Sequence, residues 1–192
     1  MRLPDLPALS PRQREISDQI AARRGGTRGP FLVWLRSPEL CEKVEALGAY
    51  CRFESTLDPR LRELSLLIAA RHWDAQYSWN AHVGKAAELG VSPGSLTALA
   101  EHRRPHFTRP DEDAVYRFST EILTDHFVSD ATFATALAEL GEPGVIDLIG
   151  SLGNFSMLAM LLNACQVDLQ PVPPPFPDVR GFARTAVQPA GD

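Results

Sequence analysis

Cysteine is scarce in this sequence, and the three that occur do not form a pair. Cys41, Cys51 and Cys165 are separated along the chain, and no CxxC motif is present. An odd number of isolated cysteines argues against a disulfide framework and against a thioredoxin-like dithiol. We therefore expect reduced, mostly buried thiols, as is usual for cytosolic proteins.

Signals for export and for a membrane are also missing. The first residues contain no apolar stretch of the kind that a secretory signal requires. The most apolar segment, residues 145–165, is interrupted by Asp147, Asn154 and Asn163, which favours a buried helix over a membrane span. The net charge of −5 gives no reason to expect nucleic acid or a membrane as a partner. We expect a cytoplasmic protein.

Cofactor and metal motifs are absent in the same way. The sequence has no GxGxxG, no GxxxxGK[ST] and no HExxH, so no nucleotide or zinc site is indicated. His72 and His82 are ten residues apart, and residues 103–105, Arg-Arg-Pro, indicate that His102 and His106 lie in an exposed, broken segment. We therefore predict no metal site and no cofactor.

The sequence does contain many helix start and stop signals, such as capping residues followed by proline and glycines at helix ends. No segment alternates apolar and polar residues as a strand would, so we predict an all-α, single-domain bundle of about eight helices over residues 1–170. Gly141 should separate the last two helices, and residues 171–192 should form a Pro-rich, extended tail with a loose end. The predicted helix starts are Ser10-Pro11, Ser37-Pro38, Asp58-Pro59, residue 75, Ser92-Pro93, Pro110, Ser129-Asp130 and residue 143.

One face of the predicted helix over residues 75–89 carries the first candidate catalytic residue. His82 lies in the middle of an apolar stripe, where a nearby carboxylate favours the charged ring. A Glu63–His82 pair would then be a proton donor and acceptor in a dry pocket. From the residues alone, the alternative is a core histidine, with Glu63 paired to Arg60 or Arg62. The stripe consists of Ala75, Trp79, His82, Ala86 and Leu89, at spacings of four, three, four and three.

Residues 63–82 resemble the signature of the carboxymuconolactone decarboxylase and alkylhydroperoxidase D family. The resemblance covers about residues 28–172, and its most specific element is a glutamate followed nineteen residues later by a histidine. It implies an alkylhydroperoxidase D-like fold, with Glu63 and His82 at functional positions. Further matching segments are Gly29-Pro30-Phe31, residues 36–40, Phe127 to Asp130, residues 144–148 and Leu162-Asn163.

The sequence departs from the family pattern at two positions. Peroxidase members carry cysteines at the positions that match Ala75 and Ser78, and a peroxide cycle needs a thiolate and a resolving thiol. A branch that is more similar to this chain has a Tyr-Glu-Trp triplet at residues 77–79, where this chain has Ser78 in place of the glutamate. The resemblance therefore carries over Glu63 and His82 only.

The resemblance implies a cofactor-independent acid–base enzyme, of decarboxylase, lyase or isomerase type, that acts on a small carboxylated or enolisable molecule. His82 would carry the proton and Glu63 would orient it. The resemblance also implies a homo-oligomer, a trimer or hexamer, with active sites between subunits. Candidates for the walls of the substrate pocket are Ser78, Tyr77, Trp79 and Trp73, and Arg71 and His72 are candidates for binding a substrate carboxylate.

Alternatives remain at the level of the sequence. Ser78 lies four residues before His82, so the two side chains can meet on one helix face. Ser78 is a nucleophile, a residue that fills space, or one that holds the tautomer of His82, and the absence of a Gly-x-Ser-x-Gly motif favours the last two roles. An arginine at the position of Arg71 is more often part of a surface or subunit salt bridge. For the whole protein, the alternatives are a non-catalytic ligand-binding or scaffold protein of the same fold, and a peroxidase-like reductase.

Overall fold

The computed structural model describes residues 1–6, 8–169, 176 and 179, and within these residues the chain is helical with no strand. The predicted all-α fold is confirmed. Residues 50–54 form a π-helical turn directly after the third helix. The α-helices of the described chain are α1 Pro11–Arg24, α2 Pro30–Trp34, α3 Pro38–Ala49, α4 Pro59–His72, α5 Gln76–Glu88, α6 Pro93–Ala100, α7 Pro110–Thr124 and α8 Asp130–Cys165.

Local capping accounts for the helix starts. The side chain of Ser10 accepts a hydrogen bond from the backbone N–H of Gln13, and the Gln13 side chain accepts one from the backbone N–H of Ser10. The side chains of Asp58, Ser92 and Ser129 each accept a hydrogen bond from a backbone N–H in the first turn of their helix. These boundaries lie where the sequence predicts them.

The short helix α2 is a feature that the sequence analysis missed. Five residues are too few to display a helical period, so Gly29-Pro30-Phe31 appears there only as part of the family resemblance. Gly29 precedes α2 with φ 55°, and a Cβ built on it would lie 2.0 Å from the hydroxyl oxygen of Tyr77. Glycine suits this position because φ is positive and the Tyr77 side chain leaves no space for a Cβ.

The last predicted helix pair is present as two helical halves of α8, which meet at a kink at the expected residue. Gly141 has φ 70° and ψ 171°, which no α-helix contains, and Pro143 follows it. Among the described residues, α8 is long and apolar enough to cross a bilayer, yet 50% of its most apolar window is buried inside the fold. Asp147 and Asn154 are buried on it, as expected for the core helix of a bundle.

Helix α4 occupies the centre of the bundle and packs against α5, α7 and α8. Every residue from Leu64 to Ala70 is buried, which matches the run of apolar residues in the sequence. Residues 73–75 turn the chain back, with Asp74 in the left-handed region at φ 49°. The hairpin of α4 and α5 therefore sets residues from the two helices side by side.

Part of the tail packs on this hairpin. The ring of Phe176 lies edge-on to Trp79 with 5.2 Å between ring centroids, and the Arg71 guanidinium lies 4.2 Å from the Phe176 ring centroid. The predicted polyproline conformation and the loose end fall on residues 170–175, 177–178 and 180–192, which lie outside the described residues. The division of the chain at residue 170 stays a prediction.

Candidate active site

The α4–α5 hairpin brings Glu63 and His82 together. Oε2 of Glu63 lies 2.8 Å from Nδ1 of His82, and the two side chains are 15% and 11% exposed. Glu63 lies nine residues before the end of α4 and His82 lies six residues after the start of α5. Both are thus at a comparable distance from the connecting turn, and the antiparallel helices bring them together. The predicted contact between these two side chains is present in the structure.

Because Nδ1 of His82 is occupied by Glu63, its other ring nitrogen is the one available for chemistry. Within the described chain, Nε2 makes no hydrogen bond. The imidazole ring lies at a tilt to Phe155 of α8, with 6.3 Å between the ring centroids. A carboxylate on Nδ1 favours the tautomer in which Nδ1 carries the proton and Nε2 carries the lone pair.

His82 forms part of the wall of a cavity of about 320 Å³. The cavity lies between α1, α2, α3, α5 and α8, and its apolar walls are Phe31, Trp34, Phe155 and Leu158. This volume suits a small organic molecule. An ionisable pair that opens onto an apolar cavity is the usual arrangement of a site for proton transfer.

Two of the predicted pocket residues line the same cavity. Tyr77 and Ser78 contact it next to His82, because residues 77, 78, 81 and 82 share one face of α5. Ser78 is buried, and its Oγ makes no hydrogen bond with His82 or with any other described residue. The geometry therefore offers no nucleophile–base pair between Ser78 and His82, and Ser78 acts as a wall of the cavity.

Trp79 and Trp73 do not line this cavity, contrary to the sequence-based prediction. One residue along a helix corresponds to a rotation of about 100°, so Trp79 points away from Ser78 and into the main core, where it meets Phe176. Trp73 lies in the turn before α5, and its carbonyl oxygen accepts a hydrogen bond from Asn163 Nδ2 at 2.5 Å. Both tryptophans belong to the packing of the fold.

Arg71 and His72 were predicted to bind a substrate carboxylate, but they lie at a different cavity of about 250 Å³, beside α6 and α7. Arg71 is engaged within the chain, because its Nε donates to the carbonyl of Ala100 at 2.9 Å and its Nη1 pairs with Asp74. Burial lowers the pKa of His72, and the nearby His126 and His102 lower it further. Arg71 and His72 therefore do not provide positive charge at the His82 cavity.

Three arginines that the sequence analysis did not identify line the His82 cavity: Arg24, Arg28 and Arg52. Arg24 ends α1, where a basic residue is expected to complement the helix dipole, so its sequence context gave no sign of a binding role. Burial lowers the pKa of Arg52, and the charge of Arg24 adds to this effect, while Glu63 opposes it. The cavity is thus electropositive at one end.

The three thiols take no part in this site. Burial raises the pKa of the Cys41 thiol to about 11, with a further contribution from Glu45. Burial also raises the pKa of Cys51. Cys41, Cys51 and Cys165 are all free. Within residues 1–6, 8–169, 176 and 179, no three His, Cys, Asp or Glu side chains are placed to hold a metal ion.

A family model assigns the part of the chain that holds the Glu63–His82 pair. Residues 38–121 match the model of the carboxymuconolactone decarboxylase family. Residues 38–121 of the chain belong to the carboxymuconolactone decarboxylase family. The family assignment drawn from the resemblance is thus confirmed. The search of curated proteins gave no match.

Solved structures show that the chain has the alkylhydroperoxidase AhpD-like fold. A peroxidase-related protein from Silicibacter sp. TM1040 superposes with a TM-score of 0.73 at 14% identity, over 89% of this chain and 91% of its own. A peroxidase-related protein from Ralstonia eutropha JMP134, with an AhpD core, gives 0.70 at 16% identity, over 91% and 94%. The debrominase Bmp8, in complex with 2,3,4-tribromopyrrole, gives 0.69 at 14% identity, over 89% and 92%. At these identities the similarity concerns the fold alone.

Proposed function

We propose that this family member is a cofactor-independent acid–base enzyme that moves a proton on a small carboxylated or enolisable organic molecule. The observation that carries the proposal is the Glu63–His82 hydrogen bond at the wall of an apolar cavity. Decarboxylation, elimination and isomerisation all need such a proton transfer. A positioned acid or base of this kind typically contributes about 10²–10⁴-fold to a rate.

In the proposed mechanism, His82 Nε2 removes a proton from a carbon acid held in the cavity. Glu63 accepts the hydrogen bond of Nδ1–H, so its carboxylate stabilises the imidazolium that forms. His82 then returns the proton to another atom of the substrate or of the leaving group. The apolar walls formed by Phe31, Trp34 and Phe155 lower the local polarity, which would strengthen the attraction between Glu63 and the charged ring.

A peroxidase-like reductase is the weaker candidate. Ala75 and Ser78 occupy the positions where the resemblance places the two cysteines of peroxidase members, and Cys41 and Cys51 are buried thiols with raised pKa values. A thiol of high pKa supplies little of the thiolate that a peroxide cycle needs. A non-catalytic protein that binds a ligand in the same cavity is the other alternative, and activity assays separate it from the enzyme.

Proton exchange tests the proposal even when the complete reaction has not been identified. A panel of β-keto acids and unsaturated lactone carboxylates is incubated with the protein in D2O, and ¹H NMR follows loss of the acidic C–H signal. We expect exchange with at least one member of the panel, and a fall of ~10²-fold or more in the His82→Gln variant. His106→Gln is the matched control, because His106 is exposed and lies outside the cavity.

Each outcome of this experiment decides between the candidates. Full exchange in His82→Gln refutes the acid–base proposal. Binding of a panel member without any exchange supports the non-catalytic alternative. Loss of folding in His82→Gln, measured by circular dichroism, supports a purely structural histidine.

A further inference from the structure

We infer that Arg24, with Arg52 as a second cation, binds a carboxylate group of the substrate and so determines specificity for anionic ligands. This inference rests on the proposed function of the His82 cavity and adds the group that the cavity recognises. It replaces the sequence-based assignment of that role to Arg71, which is held by Ala100 and Asp74.

The guanidinium of Arg24 is buried and only partly satisfied. Its side chain is 10% exposed, and its Nε donates to Oε1 of Glu45 at 3.3 Å. The guanidinium lies over the ring of Phe31, with 4.9 Å from Cζ to the ring centroid, which restrains its position. Its Nη2 is fully buried and makes no hydrogen bond within the described chain. A buried charged donor without a partner is costly and indicates a missing acceptor.

Charge around this group is not balanced by the protein. Glu45 is shared, because Arg23 Nη1 also binds it, at 3.0 Å from Oε2. Arg52 forms no ion pair with any described residue, and no Asp or Glu is among the residues that line the cavity. Arg23 and Arg24 therefore share one carboxylate, Glu45, while Arg52 is influenced by the charge of Glu63 without pairing with it. A ligand carboxylate would supply a further negative charge inside the cavity.

Gly48 of α3 lines the cavity beside this group. A Cβ built on it would lie 3.5 Å from Nη2 of Arg24 and 3.9 Å from Nδ2 of Asn154. Nη2 and the Asn154 amide thus approach one point of α3 that has no side chain. This niche offers N–H donors from two side chains to one carboxylate oxygen, and charge-assisted bonds of this kind are strong.

The niche and His82 lie at the same cavity of about 320 Å³, so one small molecule reaches both. With its carboxylate at Arg24, its body would lie along Phe31 and Phe155. This placement would present a carbon of the ligand to His82 Nε2. Arg24 acts here by binding and positioning and takes no part in proton transfer.

Benzoate and its neutral isostere benzamide are suitable probes, because they differ only in the charged group. Isothermal titration calorimetry on the full chain should show at least about tenfold tighter binding of benzoate than of benzamide. The Arg24→Gln variant should lose that preference. The matched control is Arg23→Gln, because Arg23 shares the same α1 turn and the same partner, Glu45, but does not line the cavity. It should keep benzoate affinity within about twofold.

Equal affinity of the wild type for benzoate and benzamide overturns the inference, and so do equal losses in Arg23→Gln and Arg24→Gln. If Arg24→Gln does not fold, Gly48→Ala provides the test, because alanine suits a helix interior and its methyl group occupies the niche. Benzoate binding should then weaken by about threefold or more, and unchanged binding contradicts the inference. His82→Gln should keep the preference for benzoate, so a failure of the proton-transfer proposal and a failure of this inference give different results.

Discussion

Nη1 of Arg60 donates a hydrogen bond to Oε1 of Glu112 at 2.6 Å, and both side chains are only 5% exposed. The same guanidinium binds Asp111 Oδ2 at 2.6 Å, so it ties the start of α4 to the start of α7. Arg60→Ala should destabilise the fold by about 3–5 kcal/mol, because it leaves a buried carboxylate without its partner. Urea unfolding measures this loss. The control is Arg109→Ala, at an exposed arginine 3.7 Å from Asp111, which should change stability by less than about 1 kcal/mol.

Asp147 should make the free energy of unfolding depend on pH in the acid range. Burial opposes its ionisation, but hydrogen bonds from the Thr56 N–H, the Thr56 hydroxyl and the Tyr50 hydroxyl together lower its pKa below the ordinary value. A lowered pKa stabilises the fold above the unfolded-state pKa of about 3.9, and this contribution is lost as pH falls through the folded-state value.

The Asp147→Asn variant isolates this contribution. It should be less stable than the wild type by about 2 kcal/mol at neutral pH, and the difference should shrink below about pH 4. Unfolding in urea at a series of pH values measures it. Asp125→Asn serves as the control, since Asp125 is exposed. A difference that stays constant down to about pH 2 would contradict the role of Asp147.

Glu63 should affect activity through His82 and have little effect on the fold. Glu63→Gln keeps the size of the side chain but removes the charge that stabilises the imidazolium. The rate of proton exchange should fall by about tenfold to 10²-fold, which is a loss no greater than that in His82→Gln.

Ser78→Ala should change the rate of exchange only mildly, because Ser78 Oγ makes no hydrogen bond to His82. A severe loss in Ser78→Ala would instead indicate a nucleophile.

The thiols should be unreactive apart from one. With the pKa of Cys41 raised to about 11, its thiolate fraction at pH 8 is on the order of one in a thousand. In the native protein, a thiol reagent should react with Cys165 first, and with Cys41 and Cys51 only when the protein unfolds.

The rate of dithiol-dependent hydroperoxide reduction should not exceed the background rate without protein. Turnover that disappears in Cys51→Ser would show that a buried thiol does carry out redox chemistry.

Assembly is expected from the apolar surface around α8. Ile146 is 66% exposed there, and Ile149 and Phe53 are also exposed. Exposed apolar patches are a common feature of interfaces between protein chains. Light scattering at micromolar concentration should give a mass well above the 21.1 kDa of one chain, as a trimer or hexamer requires. Ile146→Glu should lower that mass. A wild-type protein that is monomeric under these conditions would remove the expectation of sites between subunits.

The sequence alone determined the features that depend on neighbours a few positions away. Ser10, Asp58, Ser92 and Ser129 each bond to a backbone N–H two or three residues later, so the helix starts are local and predictable. The break at Gly141 is equally local. The contact between Glu63 and His82 across one short hairpin was predicted from the family resemblance and from the apolar stripe around His82.

Only the tertiary structure decided what surrounds His82. Arg24, Arg52 and Asn154 come from α1, the π-helical turn and α8, and no spacing in the sequence relates them. Trp79 was predicted to line the pocket, yet a helix directs neighbouring residues to different sides. Arg71 was predicted to bind a carboxylate, but it lies in α4 and is held by Ala100 and Asp74. Membership of a cavity wall depends on the packing of five helices around one space, whereas a helix cap needs only the adjacent turn.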